Sequence, residues 1–131
     1  MKDSIFTKII KGEIPSHKIY EDETTIAFLD INPANEGHTL VVPKIQVEFV
    51  WDLNQADYDG LMQSVRKVAL RLRSVYGSYV SEFVIGVDVP HAHVHLIPFA
   101  ESTELKNIFT PTNGEPNHEQ LAKVAEKLFF S

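Results

Sequence analysis

Half of the chain's six histidines fall within five residues, His91-Ala92-His93-Val94-His95. At offsets of two and four they scatter around a helix but share one face of a strand. Ala92, Val94 and Leu96 then point the other way, into a core. Such a segment supports two chemistries. Histidines at i and i+2 on a strand often present two metal ligands, but the outer pair, about 13 Å apart at Cα, cannot readily share one ion with the middle residue. A metal would use two of them with a further ligand, for which His38 and Asp30 are available. Alternatively, a neutral imidazole held at one nitrogen by an acceptor offers its other lone pair to an electrophile. Phosphorus suits it, because a phosphohistidine or nucleotidyl-histidine divides one hard displacement into two easier ones. Flanking histidines about 6.6 Å away can bind phosphoryl oxygens or protonate the leaving group. His93, the middle residue, is then the nucleophile. Spacing alone ranks the two chemistries equally, and both above a surface strand that merely carries histidines.

The elements that must position these residues follow from periodicity. Ile5, Phe6, Ile9 and Ile10 recur at helical spacing, with Asp3 or Ser4 to cap the start and Gly12 to end the turn before Pro15. Lys18–Glu21 and Thr25–Leu29 read as strands around the polar turn Asp22-Glu23-Thr24. Asn32-Pro33 and Glu36-Gly37 mark a loop, followed by a strand over Thr39–Val42 that Pro43 ends. Tyr58, Leu61, Met62, Val65, Val68, Ala69, Leu72, Val75 and Tyr76 repeat at threes and fours. They predict a long helix from about Gln55, with Asn54 as N-cap, Asp57 in the first turn and Gly77 as the stop. Phe83–Val87 and His91–Phe99 read as further strands. Residues 101–116 read as a surface loop broken by Pro111, Gly114 and Pro116. A last helix starts at Asn117, with Gln120 at the capping-box position and Leu121, Val124, Leu128 and Phe129 on its apolar side. Strands joined by tight turns with few helices between them indicate an α+β domain, its antiparallel sheet covered on one face.

A length of 131 residues suits a single domain spanning 1–131. The chain has no cysteine, which excludes disulfides, thiolate zinc sites and a cysteine nucleophile. Its net charge of −6 does not attract a polyanion. The densest basic group, Arg66, Lys67, Arg71 and Arg73, falls on the long helix and reads as a solvated face. No stretch has the pattern of a targeting signal or the length of a membrane span, so the expectation is a cytoplasmic protein with neither nucleic acid nor membrane as partner. An anionic substrate must be held locally, in a preorganised pocket.

His91-Ala92-His93-Val94-His95-Leu96-Ile97 resembles the His-φ-His-φ-His-φ-φ signature (φ apolar) of the histidine triad, or HIT, superfamily. Ser4–Pro15, Phe28–Pro33 and Gly37–Lys44 resemble its amino-terminal and central segments in the expected order. Together they cover about residues 3–99, with a loop and C-terminal helix over 100–131, and are closest to the Hint-like branch. The resemblance implies a five-stranded antiparallel sheet with the long helix on one face, short helices at each end, and usually a homodimer in which two sheets join. It implies a nucleotide hydrolase or transferase acting at the α-phosphate of a nucleoside phosphoramidate or related nucleotide, without a cofactor. The partner would be a purine mononucleotide or phosphoramidate. By the same resemblance His93 aligns with the nucleophile, His95 with the histidine at the α-phosphate and leaving group, and His91 and His38 with supporting histidines. Asp30 aligns with the acid that holds the ribose hydroxyls, and Ile5, Phe6, Ile9, Phe28 and Ile31 with the apolar surround of the base. From the residues alone, Asp30 reads as a turn residue, His38 as a buried strand-end histidine and the five apolar residues as core. A nucleotide-binding module with little turnover and a His-ligated metal hydrolase are the alternative functions.

Two departures stand out. Many bacterial members carry Cys-x-x-Cys where this chain has Ser4 and Thr7, and a histidine where it has Gln46; no structural zinc is expected. Val87 replaces a phosphate-binding glutamine in the approach Gly86–Pro90, and the usual upstream asparagine has no counterpart. Phosphate contacts must then come from backbone, from the histidines or from the 101–116 segment, with Asp88 facing solvent. His17 and His118 match no motif and are expected at the surface. Trp51 is expected to pack at the start of the long helix.

Overall fold

A computed structural model describes residues 2–106, 108 and 114–131. The first helix, α1 (Ile5–Ile10), starts where the Ser4 hydroxyl accepts the Thr7 N–H. Strands β1 (Lys18–Glu21), β2 (Thr25–Leu29) and β3 (Thr39–Pro43) follow, then a helical turn over Val50–Asp52 and α2 (Gln55–Tyr76). Strands β4 (Tyr79–Phe83) and β5 (Val94–Phe99), a helical turn over Ser102–Leu105 and α3 (His118–Leu128) complete the order. The sheet runs β1-β2-β3-β5-β4, with every neighbouring pair antiparallel. This is the α+β arrangement, a five-stranded antiparallel sheet with helices, that the motifs imply.

Side-chain alternation divides the sheet into two faces. Ala27, Leu29, Val41, Val94 and Leu96 meet the α2 stripe Leu61, Val65, Val68 and Leu72, and α3 adds Leu121, Val124, Ala125 and Leu128 to the same core. On the opposite face Ile26, Phe28, Leu40 and Val42 pack under Phe6 of α1. Both faces of β2 and β3 are therefore covered, which suits the unbroken apolar runs Ile26–Leu29 and Leu40–Val42 within them. Local signals set the limits of α2: the Asn54 side chain accepts the Asp57 N–H, and Gly77 at φ +60° returns its N–H to the Arg73 carbonyl.

Several boundaries differ from those the periodicity predicts. The strand expected at 83–87 lies at Tyr79–Phe83, because the chain leaves α2 at Gly77 and pairs with β5 at once, Tyr79 opposite Phe99 and Phe83 opposite His95. Strand β5 begins at Val94, not His91. The His91 N–H bonds to the Val89 carbonyl at 2.8 Å and the Ala92 N–H to the Val47 carbonyl at 2.7 Å, so this stretch is tied to loops and not to a ladder. Trp51 is 72% exposed, and the buried position in its helical turn belongs to Val50. Phe129 lies just past α3 and is exposed, while Ala125 takes a place in the core. The loop expected over 101–116 opens with the helical turn at Ser102–Leu105. Its breaker Pro111 lies outside the described residues.

Candidate active site

The α1-facing side of the sheet gathers the site. Phe28, Leu40 and His95 lie opposite one another across β2, β3 and β5. One step beyond the β2–β3 ladder, the Asp30 N–H still reaches the His38 carbonyl at 2.9 Å, which brings both side chains to the end of this row. Gly37 makes the approach possible. It sits at φ +90°, and a Cβ there would lie 2.8 Å from both Pro98 Cγ and Tyr76 Cε2.

Fixed hydrogen-bond partners determine which nitrogen of each imidazole carries the proton. His93 Nδ1 lies 2.7 Å from the His91 carbonyl, which can only accept, so Nδ1 is protonated and Nε2 keeps a free lone pair. His38 Nδ1 accepts the Ala34 N–H at 3.0 Å, so its proton is on Nε2, which donates to His95 Nδ1 at 3.0 Å. His95 therefore carries its own proton on Nε2. His91 Nε2 donates to the Pro43 carbonyl at 2.8 Å, which leaves its Nδ1 to accept the Ser4 hydroxyl at 2.7 Å.

The rings of His93 and His95 are 5.0 Å apart between centroids and those of His38 and His95 5.2 Å, while Phe6 stands edge-on to His93 at 5.0 Å. The imidazoles are thus largely shielded; His91 and His93 are buried and His95 is half-buried. Burial pushes His38 down to about 4 and, with the neighbouring His38 and His93, pushes His95 to about 4 as well. Burial also lowers His93 and His91, although the His91 carbonyl, Asp30 and Asp88 pull His93 the other way. All four rings are neutral at pH 7. Burial raises Asp30, against the Asn32 N–H and the nearby His95 and His93.

Of the five apolar residues aligned with a base pocket, Phe6 and Phe28 are buried, Ile9 is half-buried beside them, and Ile5 and Ile31 are exposed. Asp88 is exposed, as the sequence suggests, yet close enough to act on the His93 and His95 charges. Asp30, His38 and His95 bring three ligand atoms within 4.8 Å of one another. His38 Nε2 carries a proton there, however, so an ion could use it only by breaking the bond from Ala34 N–H.

Ser4, Thr7 and Gln46 meet around His91. The Ser4 N–H donates to Gln46 Oε1 at 2.8 Å, and the Thr7 hydroxyl donates to the same oxygen at 2.6 Å. These neutral oxygens already bond to one another, and they do not suit zinc, which takes thiolate, imidazole or carboxylate ligands. Sequence reasoning marks the three positions only as departures and misses what they do together. It also misses a pairing between His17 and His118. Their rings stack at 5.2 Å with Nε2 and Nδ1 2.9 Å apart, so His17 is half-buried where a surface position was expected.

The pattern of the HIT domain matches residues 11–102. A HIT-like protein of Borreliella burgdorferi is 39% identical over 106 residues, 75% of this chain and 76% of that one. The adenosine 5'-monophosphoramidase of Saccharomyces cerevisiae is 32% identical over 95% of this chain and 79% of its own length. The Hit-like protein of Bartonella henselae superposes with a TM-score of 0.81 at 32% identity, covering 96% of this chain and 94% of the other. With the domain pattern matched over residues 11–102 and a relative 39% identical over three quarters of both chains, the chain belongs to the HIT family.

Proposed function

We propose that the chain is a nucleotide hydrolase or transferase that acts at the α-phosphate of a nucleoside phosphoramidate or related nucleotide through a nucleotidyl-His93 intermediate. The observation that carries this reading is the 2.7 Å bond from His93 Nδ1–H to the His91 carbonyl, which leaves a neutral imidazole with its Nε2 lone pair free. In the first step His93 Nε2 bonds to the α-phosphorus as the bond from phosphorus to the amine breaks; the departing nitrogen takes its proton from solvent and leaves as the free amine, while His95 Nε2–H donates to a phosphoryl oxygen on the leaving-group side. In the second, water attacks phosphorus, the bond to His93 breaks to restore its Nε2 lone pair, and the water proton passes to solvent. Asp30 accepts from the ribose hydroxyls, and Phe6, Phe28, Ile5, Ile9 and Ile31 surround a purine base. His38 and His91 support the two reacting rings. Phosphate contacts come from backbone N–H groups and imidazoles, since Val87 offers none.

This reading carries a cytoplasmic homodimer joined at the outer edge of β4. The yeast phosphoramidase supports the reaction class. Against a metal hydrolase stands the proton on His38 Nε2. The test is release of amine from adenosine and guanosine 5'-phosphoramidates by the wild type and by His93→Ala. Turnover by the wild type and a loss of about 10⁴-fold or more in the variant are expected. Equal rates overturn the reading, and mononucleotide binding without turnover favours the binding module.

A further inference from the structure

We infer that Ser4, Thr7 and Gln46 form a positioning device for the proposed nucleophile, acting through His91; the inference rests on the His93 reading above. His91 is fully buried and Ser4 is 6% exposed, so the imidazole nitrogens and the Ser4 hydroxyl need partners within the protein, while Thr7 and Gln46 are half-buried. The Ser4 hydroxyl, 2.7 Å from His91 Nδ1 and 3.2 Å from Thr7 Oγ1, has its stronger acceptor in the nearer imidazole. The Gln46 Nε2 amide donates to the Lys2 carbonyl at 2.8 Å, which turns Oε1 toward the Ser4 N–H and the Thr7 hydroxyl. With the Thr7 hydroxyl proton spent on Gln46, the Ser4 hydroxyl is the donor to His91 Nδ1.

The consequence lies one residue further on. His91 and His93 precede β5, so no ladder holds the His91 carbonyl, although that carbonyl fixes the proton of His93. The His91 ring is instead anchored at both nitrogens, to the start of α1 by Ser4 and to the end of β3 by the Pro43 carbonyl. Gln46 adds a second hold, because its neighbour Val47 takes the Ala92 N–H. The cluster ties three chain segments around the residue whose carbonyl orients His93. None of the three residues is assigned contact with substrate, so they are positioning residues and not catalytic ones.

The test combines nitrogen NMR of the imidazoles with steady-state kinetics on adenosine phosphoramidate, for the wild type and for Thr7→Val, Gln46→Leu, Ser4→Ala and Ser4→Thr. In the wild type His91 must carry its proton on Nε2 and His93 on Nδ1; a proton on His91 Nδ1 overturns the inference without reference to any variant. Thr7→Val and Gln46→Leu leave the Ser4 cap of α1 in place. They are expected to lower the Nδ1–H population of His93 and to reduce kcat about tenfold or more at unchanged KM. Ser4→Ala should show the same changes, and Ser4→Thr, which keeps the hydroxyl, should restore wild-type behaviour. Folded variants with an unaltered His93 signal, or with a raised KM at full kcat, overturn it. If the wild type has no phosphoramidase activity, the functional reading fails by itself, and the NMR comparison still decides the inference.

Discussion

Each imidazole in the site has a neighbour that can act in only one direction. The His91 carbonyl, the Ala34 N–H and the Pro43 carbonyl assign the protons of His93, His38 and His91, and His95 follows from His38. Burial then keeps all four rings neutral, which a lone-pair nucleophile requires. A histidine lowered from 6.5 stays unprotonated to more acid pH, so the acid limb of kcat/KM should fall below pH 6.5 and the rate should be level above it. An acid limb centred at pH 7 or higher contradicts this. The same lowering has a stability consequence. Between pH 6.5 and about 4 the unfolded chain binds protons at His38 and His95 that the folded chain does not, so stability is lost as pH falls through that window. The three triad histidines were legible from spacing alone. Ser4, Thr7 and Gln46 were not, because they meet His91 through contacts between distant segments that no local period records.

At the scale of elements, those with local determinants were the readable ones. The span of α2 follows from its apolar stripe, Asn54 and Gly77, and β1 and β2 from the turn between them. The limits of β4 and β5 depend on which residues each strand finds opposite, and sequence offers no register, so the first was expected too late and the second too early. The connection from β2 to β3 carries the tightest constraint. Gly37 turns the chain into His38 at positive φ between Pro98 and Tyr76, where a methyl group has no room. Gly37→Ala should destabilise the fold by about 1–3 kcal/mol. It should also weaken activity, since His38 must shift with it. Urea denaturation checks the first effect, and an unchanged midpoint would count against the packing described here.

For the whole molecule, the two edges of the sheet differ. The Phe130 N–H reaches the Ile19 carbonyl and occupies part of the β1 edge, whereas β4 ends the sheet with Tyr79 69% exposed. An open edge of this kind invites pairing with a second strand. Val80 faces Pro98, which has no N–H and turns its carbonyl to Asn35, so this pair is not hydrogen-bonded and the Val80 and Glu82 N–H groups point outward. The proposed homodimer predicts sedimentation at twice the chain mass for the wild type. Glu82→Pro removes one outward donor on an edge strand that tolerates proline, and should sediment at the single-chain mass. A monomeric wild type would remove the dimer from the account. The charge of −6 made an extended polyanion an unsuitable ligand from the start, and no helix among the described residues is long and apolar enough to cross a membrane.

The proposed reaction passes through a bond between phosphorus and His93. Its most direct measurement is the stereochemical course at phosphorus, with one diastereomer of a nucleoside phosphorothioamidate hydrolysed in ¹⁸O-water. Two successive in-line displacements, first by His93 and then by water, predict net retention of configuration. Net inversion would mean that water attacks the substrate directly, and would contradict the covalent role of His93.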